Sequence, residues 1–134
     1  MIPKFRAWMK SLKWMCDVTN ISFDSKFVDI CQQGDTERYT EMSVEFDEIT
    51  LMQSTGLKDK NGKEIFEGDI LACKTDDEVI NLNIFWDEEH ALFMFESKKY
   101  NEQEPLAELV EDNTYPFGII GNIYENRELL EDKK

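Results

Sequence analysis

Apolar and polar residues alternate along several short segments of the chain, with the period of two that is typical of half-buried β-strands. The clearest segment is 79–86, where one face would carry the apolar residues Ile80, Leu82, Ile84 and Trp86. Strands are also predicted at 4–9, 14–18, 43–53, 70–74, 91–96 and 117–124. Helical turns are predicted at 105–112, where Leu106, Leu109 and Val110 are apolar, and at 127–130. The fold is therefore predicted to be mainly β.

Residues 43–53 do not alternate in one phase. Val44 and Phe46 follow one phase, whereas Ile49 and Leu51 follow the other. A slip of one residue moves side chains to the opposite face of a sheet, so it indicates a bend or a bulge. We expect the two halves of this segment to pair with different strands.

The N-terminal segment permits two interpretations. Residues 4–18 fit a hairpin of two strands, but Trp8, Leu12 and Met15 also fit a helical stripe. Residues 1–52 are therefore predicted to form a strand-rich α+β segment.

The stretch LMQSTGLKDKNGKEIFEGDIL, residues 51–71, contains three turn signals. Asn61-Gly62 is the strongest short-range signal for a β-hairpin, which makes residues 58–63 its predicted solvated loop. Gly68-Asp69 predicts a bend in which the carboxylate accepts hydrogen bonds from nearby backbone amides.

The third signal, Thr55-Gly56, predicts that the preceding strand ends near Gln53. A domain boundary is accordingly placed between residues 52 and 53. Four short strands follow the Gly-Asp bend, with one helical turn before the last of them. Residues 53–134 are therefore predicted to form a small SH3-like β-barrel, entered through the Asn-Gly hairpin and the Gly-Asp bend and followed by an acidic C-terminal tail.

Residues 51–71 also resemble the signature of the YopX family, which is found mostly in phages and prophages of Gram-positive bacteria. Two further segments resemble the family in the same order, KFRAW at 4–8 and IIGNIYENRELL at 119–130. One departure is Arg127, where the family often has proline. The resemblance implies a fold that agrees with the barrel and a phage or prophage origin. It implies no catalytic, cofactor-binding or metal-binding residue.

Charge narrows the range of partners. Acidic residues outnumber basic ones by 29 to 15, which gives a formal net charge of −14. Such a field repels phosphate backbones, so general nucleic-acid binding is not expected. Residues 1–16 are the exception, because they contain four basic residues and no acidic one. The candidate nucleic-acid contacts in this segment, beside two tryptophans, are Arg6, Lys10 and Lys13. The alternative is a hairpin with buried aromatics and solvated lysines.

Cysteine usage and hydropathy bear on the compartment. Three cysteines without Cys-x-x-Cys spacing argue against a disulfide framework or a zinc site. The N-terminal sequence lacks the apolar core of a signal peptide, and no run approaches the roughly 20 apolar residues that span a bilayer. The host cytoplasm is the predicted location, without membrane contact.

Candidate chemistry is sparse. The one histidine, His90, follows three acidic residues, and such a group can bind a divalent metal or act as a general base. Consecutive side chains in a turn are expected to splay, however, so a solvated turn is predicted. Residues 76–78 lack the ligand spacing and the glycine of a calcium loop. Because one histidine would have to serve every Cys-His or Ser-His pair, we predict no enzyme activity, cofactor or metal.

The C-terminal segment 124–132 is amphipathic. Its apolar residues Tyr124, Leu129 and Leu130 alternate with acidic residues that extend to Asp132. This segment would either cap the barrel or form a contact between protomers. A homo-oligomer is the expectation, because small barrels with exposed edge strands often pair or cover them.

Three hypotheses of different classes follow. The favoured one is a non-enzymatic phage or prophage accessory protein that contacts itself and a host or phage protein, in one form as an acidic decoy or inhibitor of a host nucleic-acid-binding protein. The second is a nucleic-acid-binding barrel that uses the basic segment 4–13. The third and least favoured is an enzyme.

Overall fold

A computed structural model describes residues 4–112 and 114–131. The chain divides into two compact units, Met1–Ser54 and Thr55–Lys134. The boundary predicted between residues 52 and 53 lies close to this division. Among the described residues, no helix has both the length and the apolar character that are needed to cross a membrane.

The first unit is an antiparallel sheet. Its strands are β1 (Phe5–Met9), β2 (Trp14–Ser22), β3 (Phe27–Gln32), β4 (Met42–Glu45) and the first part of β5 (Ile49–Lys58). Within the unit the strands lie in the order β4-β3-β2-β1-β5. The buried side chains of its core are Ala7, Met9, Cys16, Val28, Ile30, Val44 and Ile49.

The N-terminal hairpin is confirmed, and the helical interpretation of residues 4–18 is wrong. Ala7 of β1 lies opposite Cys16 of β2, and both residues are fully buried. Within residues 4–54 the secondary structure consists of strands and one 3-10 turn, so the α+β prediction for this segment is wrong as well. Pairing between β1 and β2 thus places both of these small residues in the core of the unit.

The phase slip in residues 43–53 is also confirmed as a bend. The 3-10 turn Phe46–Glu48 separates β4, which pairs with β3, from β5, which pairs with β1. Glu45 and Glu48 form a capping box, in which each side chain accepts a hydrogen bond from the other residue's backbone amide. The two halves of the segment therefore belong to different strand pairs, as the alternation indicated.

The second unit contains a five-stranded antiparallel sheet in the order β10-β9-β8-β7-β11. Its elements are β6 (Glu64–Phe66), β7 (Asp69–Lys74), β8 (Val79–Asp87), β9 (Leu92–Ser97), β10 (Glu102–Pro105), α1 (Leu106–Glu111), β11 (Phe117–Asn122) and a 3-10 turn (Arg127–Leu130). β6 is the neighbour of β5. The buried core residues are Ile65, Leu71, Cys73, Leu82, Ile84, Leu106 and Phe117.

The mainly β prediction is thus confirmed, whereas closure of the second unit into an SH3-like barrel is not. β10 and β11 are the two edges of the sheet, and the described residues show no pairing between them. β10 itself was not predicted, because Glu102–Pro105 is polar and exposed apart from its last residue. β10 pairs with β9 through backbone hydrogen bonds, which require no alternation of apolar residues in the sequence.

β5 does not end near Gln53, as the sequence predicted, but continues to Lys58. Within β5 the backbone of Gly56 has a positive φ of 78°, a conformation that glycine adopts without steric cost. The hydroxyl of Thr55 donates a 2.7 Å hydrogen bond to the carbonyl of Ile65. This bond between residues ten apart in sequence ties the end of β5 to β6.

The Asn-Gly hairpin is confirmed, with a different turn geometry. Only Gly62 of the pair has a positive φ, 79°. Its amide donates to the Asp59 carbonyl at 3.0 Å, and the Asp59 amide donates to the Lys63 carbonyl at 2.9 Å. This is the pattern of a turn followed by one left-handed residue.

Alanine at position 62 is expected to lower the free energy of unfolding by about 1 kcal/mol, because the left-handed conformation is strained for any residue with a Cβ. No steric clash adds to this cost, since no atom lies within 4 Å of the position of the new Cβ. Gly62→Asn is the matched control, because asparagine tolerates this conformation better. Urea denaturation of both variants measures the difference, and equal stabilities would contradict the explanation.

Asp59 makes the hairpin loop more than a solvated connection. Its side chain is 7% exposed. One carboxylate oxygen, Oδ1, accepts from the amides of Asn61 and Lys63, both at 2.9 Å, and Oδ2 accepts from the amide of Ile119 at 3.0 Å. The Lys60 amide donates to the Phe117 carbonyl at 3.2 Å. The loop therefore binds the outer edge of β11, and the prediction that residues 58–63 are simply solvated is wrong for Asp59.

The Gly-Asp bend is confirmed. Gly68 has a φ of 88°, and the Asp69 carboxylate accepts a 2.8 Å hydrogen bond from the Phe66 amide. Asp69 is 2% exposed. The bend joins β6 to β7, and the Asp69 carboxylate accepts a backbone hydrogen bond within it, as the sequence predicted.

Candidate functional site

Two aromatic rings meet at the surface of the first unit. The Phe46 amide donates a 3.0 Å hydrogen bond to the Lys26 carbonyl, which holds the 3-10 turn against the turn between β2 and β3. The edge of one ring then faces the other, with the centroids of Phe23 and Phe46 6.1 Å apart and the planes at 82°. Phe46 packs on the core, whereas Phe23 is 68% exposed.

A surface depression of about 340 Å³ adjoins this pair. It is lined by Ser25, Lys26, Glu45, Phe46 and Asp47. Phe46 is the aromatic residue of this lining, and three of the other four residues are charged. The arrangement can accommodate an apolar side chain whose neighbours interact with charge.

Three carboxylates converge beside the depression. Oxygen atoms of Glu45, Asp47 and Glu48 lie within 4.8 Å of one another, and all three residues are exposed. Two unit charges about 4 Å apart repel by about 1 kcal/mol even in bulk water. We call Phe23, Phe46 and these three acidic residues the aromatic-acidic surface.

Sequence reasoning did not single out this surface. The available signal was Phe23, a lone aromatic residue within the polar turn Phe-Asp-Ser-Lys. The contribution of Phe46 was not visible, because its alternation with Val44 predicted an ordinary core residue. The turns are brought together by strand pairing, which the sequence pattern does not specify.

The candidate nucleic-acid contacts do not form one exposed patch. Arg6 lies in β1 opposite Asp17 and is 6% exposed. Lys10 and Lys13 are exposed in the following turn. The Lys10 ammonium donates to the backbone carbonyl of Asp47 at 3.2 Å. The two lysines therefore remain as surface cations, while the arginine is enclosed by the sheet.

The C-terminal residues proposed as a protomer contact fold back onto their own unit. Tyr124, Leu129 and Leu130 are half-buried. The side-chain amide of Asn81 in β8 donates a 2.8 Å hydrogen bond to the Leu129 carbonyl. This is the arrangement expected of a cap over the sheet; Asp132, which belongs to the same predicted segment, lies outside the described residues.

The side chains of the turn around His90 lie closer together than the sequence predicted. Ligand atoms of Asp87, Glu89 and His90 lie within 4.8 Å of one another, so the expectation that all these side chains splay is wrong. His90 Nδ1 and the Asp87 carboxylate are 2.7 Å apart. The group is largely exposed, and exposed acidic groups of this kind are common without a metal. The prediction that no metal binds stays a prediction.

The hydrogen bond with His90 is the main reason why the pKa of Asp87 is lowered. His90→Ala is therefore expected to raise the Asp87 pKa toward the unfolded value of about 3.9. Because the folded pKa lies below the unfolded one, the pair stabilises the protein above that value and loses its effect as the pH falls through the lowered pKa. A carboxyl-carbon NMR titration of Asp87 tests this, with Glu88→Ala as the control. An unchanged Asp87 pKa in His90→Ala would assign the shift to the backbone amides of the turn.

The acidic run at 76–78 is partly engaged. Glu78 accepts hydrogen bonds from Lys99 and from the Tyr100 hydroxyl. These bonds, that of Lys99 first, lower the pKa of the Glu78 carboxyl, and the same contact raises the pKa of Tyr100. The two hydrogen bonds of Glu78 therefore join the turn before β8 to the turn after β9.

The three thiols are buried and unbridged. Cys16, Cys31 and Cys73 are 0%, 4% and 7% exposed. Burial is the largest cause that raises the thiol pKa of Cys16 to about 11, and burial also raises that of Cys73. Thiols that stay protonated in this way are weak nucleophiles.

Comparison with known proteins gives a consistent result. The family model described as YopX protein matches residues 4–131. The crystal structure of protein EF1440 from Enterococcus faecalis is similar with a TM-score of 0.61 and 32% identity, over 98% of this chain and 99% of that one. The crystal structure of protein yopX from Bacillus subtilis is similar with a TM-score of 0.59 and 18% identity, over 96% and 98% of the two chains, which shows a shared fold. No curated protein matches the chain. Because the family model matches nearly the whole chain, the chain belongs to the YopX protein family.

Proposed function

We propose that this chain is a non-enzymatic phage or prophage accessory protein that binds another protein in the host cytoplasm. The observation that carries the proposal is the exposure of large aromatic side chains on an acidic molecule, with Phe23 at 68% and Tyr39 at 85%. Aromatic residues are enriched in protein interfaces relative to the rest of the surface. Membership of the YopX family supports the phage or prophage origin.

The net charge of −14 supports a basic partner. In its sharpest form the chain is an acidic decoy, which occupies the surface that a host nucleic-acid-binding protein uses for phosphates. Electrostatic attraction of this kind steers association and weakens with added salt. The alternative, direct nucleic-acid binding through segment 4–13, has weaker support because Arg6 is buried.

Two finer proposals concern architecture. We keep the SH3-like barrel for the second unit, on the strength of the strand order and of α1 immediately before the last β-strand. We keep a homo-oligomer because β4 in the first unit and β10 in the second lie at sheet edges. Sedimentation equilibrium of the purified chain tests the oligomer directly.

Affinity capture tests the main proposal. The tagged chain is incubated with lysates of Enterococcus faecalis and of Bacillus subtilis at low salt, after nuclease treatment, and bound proteins are quantified by mass spectrometry. We expect a basic protein to be enriched over a tag-only control and to be released as salt is raised. Recovery of no partner from either lysate contradicts the proposal, and a stoichiometric metal in the purified protein would revive the enzyme hypothesis.

A further inference from the structure

We infer that the aromatic-acidic surface is the docking site for a basic segment of the partner protein, in which an apolar side chain stands next to lysine or arginine. The inference rests on the proposed function, because it assigns a surface and a partner chemistry to the same activity. It makes no use of the second unit.

The apolar part of the site is the depression beside the two rings. Phe46 packs against the core of the unit and is the large apolar residue that lines the depression. Phe23 does not line it but contacts Phe46 edge to face, with the ring centroids 6.1 Å apart. A depression of about 340 Å³ has room for one large apolar side chain.

The charged part of the site selects the neighbours of that side chain. The carboxylates of Glu45, Asp47 and Glu48 repel one another in the unbound chain. The Lys10 ammonium donates a hydrogen bond to the backbone carbonyl of Asp47 and not to a carboxylate. Lys26 is the one basic residue that lines the depression. A cation from a partner would relieve the repulsion, and a guanidinium can also stack on an exposed aromatic ring.

The three acidic residues differ in their structural roles, and this difference shows which of them can be substituted to test the site. Glu45 and Glu48 hold the 3-10 turn through their capping box. Asp47 has no part in that box, so its carboxylate is available to a ligand. Phe23 can likewise be replaced without loss of core packing, because most of its surface is already in contact with water.

One other occupant has the same chemistry. Leu12 is 45% exposed and lies between Lys10 and Lys13, so the corresponding turn of a second copy is itself a basic segment with an apolar side chain. We assign the site to a partner protein, because the surface of a basic protein carries more lysine and arginine side chains than the two lysines of this turn. Phe23-dependent self-association would overturn that assignment.

The test measures peptide binding to the full chain by fluorescence anisotropy. The probe is a fluorescein-labelled peptide of sequence Gly-Ser-Arg-Phe-Lys-Ser-Gly. In one control peptide glycine replaces the phenylalanine, and in the other glutamate replaces both basic residues. We expect the probe to bind about tenfold more tightly than either control, a difference of about 1.4 kcal/mol.

Variants of the chain localise the binding. Phe23→Ser and Asp47→Lys are each expected to weaken probe binding about tenfold, again about 1.4 kcal/mol. Tyr39→Ser is the matched control, since Tyr39 is an exposed aromatic of the same unit that is not part of the aromatic-acidic surface. Absence of binding, equal binding of the Arg-Gly-Lys peptide, or an unchanged affinity in Phe23→Ser overturns the inference.

The lysate capture separates the two claims. If Phe23→Ser captures the same partner as the unchanged chain, the proposed function stands and the inference fails. If no partner is captured but the probe binds in a Phe23-dependent manner, the surface is retained as a basic-peptide site and the proposed function fails.

Discussion

Asp59→Ala is expected to lower the free energy of unfolding by about 3 kcal/mol, because it removes the acceptor of three backbone amides at once. Two of these amides, those of Asn61 and Lys63, lie in the hairpin loop and can be partly rehydrated. The third belongs to Ile119 in β11, which is half-buried, so its loss carries most of the penalty. The carboxylate links a local turn to a strand 60 residues away in the sequence.

Asp59→Asn separates the two contributions. Asparagine keeps one acceptor oxygen for the loop but places an NH₂ donor against the Ile119 amide, or the reverse if the side chain is flipped. We expect it to lose about half as much stability as alanine does, roughly 1.5 kcal/mol.

Urea denaturation measures both losses, and hydrogen exchange at the Ile119 amide locates them. The control is Asp77→Ala, which removes an exposed aspartate of another turn and is expected to change stability by less than about 0.5 kcal/mol. If Asp59→Ala were as stable as this control, the loop would have no structural part in holding β11.

Gly121→Ala is expected to lower the free energy of unfolding by about 2 to 3 kcal/mol, because the new Cβ overlaps the side chain of Asn126 down to its own Cβ. It would lie 2.7 Å from Cγ and 2.9 Å from Cβ of Asn126. The side-chain oxygen Oδ1 of Asn126 accepts a 3.2 Å hydrogen bond from the Asn122 backbone amide, so displacement of the side chain also breaks this contact. The position thus requires the absence of a side chain and not a special φ.

A double variant shows whether this contact is the cause. Asn126→Gly removes all three atoms that the new Cβ would meet, so the effects of Gly121→Ala and Asn126→Gly are expected to be non-additive by at least about 1 kcal/mol. Gly118→Ala is the control in the same strand. There the nearest atom is the flexible Nδ2 of Asn61 at 3.3 Å, and a smaller loss is expected. Strictly additive losses, measured by urea denaturation, would contradict the steric explanation.

Local signals in the sequence predicted most hairpins of the fold. The Asn-Gly and Gly-Asp turns, the alternation of β8 and the phase slip before Ile49 all follow from side chains within a few residues of one another. The features that escaped prediction depend on bonds between distant residues. β5 continues past Gly56, where the hydroxyl of Thr55 donates a hydrogen bond to Ile65 in β6, and nothing in the local sequence indicates this partner.

The same contrast between local signals and contacts between distant residues applies to the candidate site. The convergence of Asp87, Glu89 and His90 arises from the geometry of one turn, which a rule about consecutive side chains does not capture. The aromatic-acidic surface depends on two turns brought side by side by strand pairing. Burial of Arg6 was equally unpredictable, because an arginine in an alternating strand is normally assigned to the solvent face.

The buried thiols give this protein a built-in set of labelling sites. An alkylating reagent can reach an enclosed thiol only when the surrounding strands open, so its rate of reaction measures how often they do. Cys16 and Cys31 report on the first unit and Cys73 on the second. Mass tagging of the unmodified chain can therefore follow the opening of each unit separately, without an introduced probe.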